Sequence, residues 1–104
     1  MAAKFEIEKF DHNNDFGFWR LKMHAFLVQN GLHKALRGKN ALSEKLSDGK
    51  KNKLLEKAYG QILLFLSDGV LRKVVQEKTV ASIWQKLENL YITKSLTNRL
   101  YMKK

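Results

Sequence analysis

From Val80 to Tyr91 the apolar residues recur at steps of three and four: Val80, Ile83, Trp84, Leu87, Leu90 and Tyr91. Gln85, Lys86 and Asn89 occupy the opposite side. That period belongs to a helix with one buried face, and a strand cannot satisfy it. Thr79 precedes the run and is a suitable N-cap. No proline interrupts this or any other segment of the 104 residues, so the strongest helix breaker is missing throughout.

The same reasoning extends upstream. "DHNND" (Asp11 to Asp15) is a cluster of turn and capping residues, and Asn14 or Asp15 is expected to cap a first helix from about Phe16 to Asn30. Gly31 is its expected stop. This helix carries two apolar stripes. Phe16, Trp19, Met23, Phe26 and Leu27 form one; Phe18, Leu21, Ala25 and Val28 form the other. A helix apolar on both sides is either central in its own chain or shares one face with another molecule. Both alternatives stand for Phe18, Leu21 and Val28.

A basic connector follows, with room for one short helical turn. A second long helix is expected after Ser47 or Asp48, with Leu55, Ala58, Tyr59, Ile62 and Leu66 on its buried face. Gly60 lies inside it and weakens it by about 1 kcal/mol relative to alanine. "SDG" at 67–69 is expected to cap a short helix from Val70 to about Gln76. Ser95 begins one more apolar pattern, with Leu96, Leu100 and Tyr101. The expected fold is therefore all-α: a compact bundle of about five helices, the last truncated, behind a short extended N-terminal arm. Residues 1–14 are expected to form the arm, 15–94 the helical domain, and 95–104 the start of a further helix. The expected core is Phe16, Trp19, Met23, Leu27, Tyr59, Ile62, Leu66, Trp84, Leu87 and Tyr91.

The chemistry of the side chains narrows the function. Cysteine is absent, which removes disulfides, thiolate metal sites and cysteine nucleophiles. His12, His24 and His33 match no zinc spacing, and solvent-facing or hydrogen-bonded histidines are the simpler reading. Carboxylates are scattered, with no pair placed for acid–base work. No Gly-rich phosphate loop occurs. No catalytic residue, cofactor or metal is expected. The longest apolar run, Ile62 to Leu66, is too short to cross a membrane.

Charge points elsewhere. Twenty Lys and Arg against ten Asp and Glu give a formal net charge of +10, which favours polyanions. Lys50, Lys51, Lys53 and Lys57 lie in or beside the connector, and Arg99, Lys103 and Lys104 crowd the end of the chain. They are a solvated surface or a site for RNA phosphates. Such contact is non-specific and weakens with salt.

In their order, these segments resemble a known family. "KFEIEKFDHNNDFGFWRLKMHAFLVQNGL", then "LSDGVLRKV", then "EKTVASIWQKLENLYITKSLTNRLYMKK" are similar to the start of the Gag region of copia-type LTR retrotransposon polyproteins, the Pseudoviridae-like elements, especially those of plants. Phe10, Trp19, Met23, Leu66-Ser67-Asp68, Trp84, Leu87 and Tyr91 carry the match; Arg37 to Gln61 match least. The resemblance implies an N-terminal capsid-type domain, not an enzyme, that self-associates into cytoplasmic virus-like particles enclosing RNA. It implies partners in further copies, RNA and downstream Gag domains, with residues 95–104 expected to begin a helix that leads to an absent downstream domain, and no membrane. The alternative is a domesticated Gag-derived host protein acting as an RNA-binding or protein-interaction module.

Overall fold

Four α-helices and two short 3-10 turns make up the computed structural model, which describes residues 7–92. The first helix, α1, spans Phe16–Gln29, and its N-cap is Asp15, whose carboxylate accepts the Phe18 amide at 3.2 Å. Upstream, Asp11 Oδ1 accepts from the amides of Asn13 and Asn14, and Asn14 Nδ2 donates to the Lys9 carbonyl. These side-chain bonds close the loop that delivers the chain to α1. His12 sits within it at φ 65°.

Helix α1 ends in a Schellman motif. The Leu32 amide donates to the Leu27 carbonyl at 2.7 Å and the Gly31 amide to Val28 at 3.0 Å. Gly31 takes φ 70°, a left-handed conformation that a side chain disfavours. The turn leaves Leu27 and Leu32 both buried.

The connector is more ordered than its composition suggests. It forms 3-10 turns at His33–Arg37 and Lys39–Ala41, and Leu32, Ala35 and Leu42 are buried. The 33–37 turn touches α1, α2 and α4. Helix α2 spans Asp48–Leu64, with Ser47 as N-cap. Helix α3 spans Asp68–Val74 and begins two residues earlier than expected, because Ser67 itself is the cap and Asp68 and Gly69 lie in the first turn. Helix α4 spans Val80–Tyr91 behind a capping box in which the Thr79 and Ser82 side chains each bond the other's backbone. The expected helix from Ser95 lies outside the described residues.

Aromatic rings dominate the core. Phe10 packs edge-on against Phe16 at 5.2 Å and Tyr91 at 4.7 Å, and Trp19 lies 5.9 Å from Trp84. Met23, Leu27, Ile62, Leu66 and Leu87 are buried beside them. Phe10 changes the picture of a separate arm. It is 1% exposed and held by a parallel bridge to Leu66: its amide donates to the Phe65 carbonyl at 2.8 Å, and the Ser67 amide donates to its carbonyl at 2.9 Å. The last residues of the arm are thus part of the domain. Tyr59, expected in the core, is only half buried. Its ring packs on the core margin while its hydroxyl donates to the Glu77 carbonyl at 3.0 Å, so the polar end is kept at the surface.

Gly60 sits in α2 with no atom within 4 Å of where a Cβ would project. Gly60→Ala is expected to stabilise the domain by about 0.5–1 kcal/mol, a rise in Tm of about 2–8 °C. Thermal denaturation followed by circular dichroism checks this; an unchanged or lower Tm would contradict the open geometry.

Candidate self-association surface and basic faces

The two stripes of α1 meet different fates. Phe16, Trp19, Met23 and Leu27 point into the core, while Phe26 is half buried against Phe65 at 5.5 Å. On the other side Phe18, Leu21 and Val28 are 56%, 54% and 45% exposed, and Ala25 between them is exposed too. No helix among the described residues covers this face, which leaves it open to another molecule. Positions 18, 21, 25 and 28 alternate steps of three and four, the spacing of a narrow seam that a second helix can pack along. Leu64 and Val75 are further exposed apolar side chains.

Helix α2 carries a basic row. Lys50, Lys53 and Lys57 recur at steps of three and four and are exposed, and Lys51 beside them is half exposed. None of the four makes an ion pair among the described residues, whose two ion pairs are Arg20–Glu88 and Lys39–Asp48. Unpaired lysines on one helical face can track a phosphate backbone. Arg99, Lys103 and Lys104 lie outside the described residues.

A third feature leaves no signature in the sequence. Between α1, the 33–37 turn and α4 lies an open cleft of about 540 Å³ lined by Arg20, His24, His33, Lys34, Arg37 and Glu88, among others. Arg20 anchors it: Nη2 lies 2.7 Å from Glu88 Oε2, and the guanidinium sits 5.8 Å from the Trp84 ring centre. The His24 and His33 rings meet edge-on at 6.1 Å. Partial burial of the His24 ring lowers its pKa below the usual 6.5, reinforced by the positive fields of His33, Arg20 and Arg37. The His33 Nδ1 atom is buried without a hydrogen-bond partner. No Ser, Thr or Tyr hydroxyl lines the cleft, and its one carboxylate is engaged by Arg20. Arg20, Lys34 and Arg37 thus bring three positive charges to one cleft. Spacing could have flagged only Arg20 and His24, four residues apart on α1; the turn that brings His33, Lys34 and Arg37 to them has no helical period.

Among the described residues, no three His, Cys, Asp or Glu side chains gather as a metal site, and no helix is long and apolar enough to cross a membrane.

Comparison with known proteins identifies the lineage. The family model for the gag-polypeptide of LTR copia-type matches residues 23–104. The chain belongs to the copia-type gag family. This gag chain is also 40% identical over 103 residues to the retrovirus-related Pol polyprotein from transposon TNT 1-94 of Nicotiana tabacum, a match that covers 99% of the chain. It spans 8% of that polyprotein's length. No solved structure matches significantly. Trp19, Met23, Leu66, Trp84, Leu87 and Tyr91, the residues on which the resemblance rests, are all buried in this chain.

Proposed function

We propose that this copia-type gag domain is a non-catalytic building block that self-associates into cytoplasmic virus-like particles enclosing RNA. The observation that carries the reading is the exposed seam of Phe18, Leu21, Ala25 and Val28 on α1. Apolar side chains aligned on one rigid helix are costly to leave in water, and a second copy offers the same surface in return. The lysine row on α2 supplies the RNA contact, through phosphates and without base reading. Downstream Gag domains extend the assembly.

Leu21→Glu tests the surface. Leu21 is exposed, so the variant is expected to keep its circular dichroism spectrum and to change stability by no more than about 0.5–1 kcal/mol. Its self-association in sedimentation equilibrium is expected to weaken at least about tenfold, because each dimer contact would have to desolvate a carboxylate. Undiminished association of the folded variant, or a wild-type chain that stays monomeric at millimolar concentration, would overturn the assignment. In the same preparations, affinity for a generic single-stranded RNA is expected to fall steeply with salt. Replacing Lys50, Lys53 and Lys57 with alanine should flatten the log–log slope by about 0.7 for each phosphate that is no longer neutralised. Salt-sensitive RNA binding without association would instead favour an RNA-binding host module.

A further inference from the structure

We propose that the cleft between α1, the 33–37 turn and α4 is a binding site for a compact, multiply charged phosphate. Three permanent cations, Arg20, Lys34 and Arg37, face one carboxylate, Glu88, leaving a net charge of +2 before either histidine is protonated. Protonation of His24 raises it to +3. These groups come from three elements that meet only in the folded chain, so the site is built by the fold and is not a run of surface charge.

The floor is pre-organised. Glu88 and the Trp84 ring hold Arg20 in place, with its Nε also 2.7 Å from Glu88 Oε2. Lys34 and Arg37 are exposed, three residues apart on the 33–37 turn, and Gly38 ends that turn with its amide bonded back to Ala35 at 3.0 Å. Guanidinium, ammonium and imidazolium groups donate charge-assisted hydrogen bonds, and phosphate oxygens accept them. The His24 imidazole adds a group whose protonation an anion would favour, and beside it the buried His33 Nδ1 has no hydrogen-bond partner. His24 is surrounded by Arg20 on its own helix, by His33, Lys34 and Arg37 on the turn, and by Glu88 on α4. A phosphate bound there offsets the positive field that disfavours its protonated form. Binding therefore takes up protons and strengthens as pH falls.

This site is separate from the α1 seam and from the α2 lysine row, and it stands whether or not the domain assembles. Two sources share the chemistry: a free oligophosphate and consecutive phosphates of an RNA strand.

Inorganic tripolyphosphate is the probe, added to the wild-type chain and followed by isothermal calorimetry and by NMR of the histidine ring protons. Saturable one-to-one binding is expected, with His24 and His33 shifting together and affinity rising at least about threefold from pH 8 to pH 6. Arg37→Ala is expected to weaken binding at least about tenfold, the usual weight of one charge-assisted contact. Lys78→Ala, at an exposed position between α3 and α4 and outside both the cleft and the α2 lysine row, is expected to change it less than twofold. His24→Ala, also at an exposed position, serves as a second variant should Arg37→Ala lower the melting temperature. It is expected to reduce the pH dependence. Equal losses in Arg37→Ala and Lys78→Ala, or binding that leaves both histidines unshifted, would overturn the site. A short single-stranded RNA that displaces tripolyphosphate from the histidines would identify RNA as the source, and one that binds without displacing it would identify the free oligophosphate.

Discussion

A Phe10→Ala chain is expected to lose about 3–5 kcal/mol of folding stability, a large share of the roughly 5–15 kcal/mol that a domain of this size has. The ring is 1% exposed and packs edge-on against Phe16 and Tyr91. Each such pair contributes about 0.5–1.5 kcal/mol beyond burial. Its backbone bonds to Phe65 and Ser67 survive the substitution, so the loss isolates the ring. Urea denaturation measures it, and Phe10→Leu is expected to recover more than half of the deficit by refilling the space. A Phe10→Ala penalty below about 1 kcal/mol would mean that the segment before α1 is peripheral after all.

Trp19→Ala is expected to cost a similar amount, about 3–5 kcal/mol. Its indole stacks on Phe16 at 5.7 Å, lies near Trp84, and donates from Nε1 to the Phe65 carbonyl at 3.1 Å. Trp19→Phe separates the two contributions. It keeps most of the ring contact and removes the donor, while the Phe65 carbonyl still accepts the Phe10 amide at 2.8 Å. No buried acceptor is orphaned, so the expected cost is about 1–2 kcal/mol. If Trp19→Phe proved as damaging as Trp19→Ala, the hydrogen bond rather than packing would hold this corner together.

Local rules made the helices readable. Thr79 before a clean period, Ser47 and Ser67 before polar first turns, and Gly31 after the α1 stripes each mark a boundary through backbone chemistry that acts within a few residues. The doubly apolar α1 was readable as well, though only the fold shows that its second stripe faces away from the other described helices. Phe10 was harder. Its partners Phe65, Leu66 and Tyr91 lie far along the chain, and a single bridge has no period to detect. Leu32, Ala35 and Leu42 hid in a lysine-rich stretch because 3-10 turns this short leave no repeating pattern. The basic cleft depends on that same turn, and so it too escaped the sequence.

The seam on α1 is brief. A helix of 14 residues is about 21 Å long, and four side chains span less than that. Under the proposed self-association, a grip so short would bind one neighbour only loosely. Copies joined by it would let go and settle again, so misplaced subunits would be released before a lattice closed around them, and durability would come from the number of simultaneous contacts rather than from any single one.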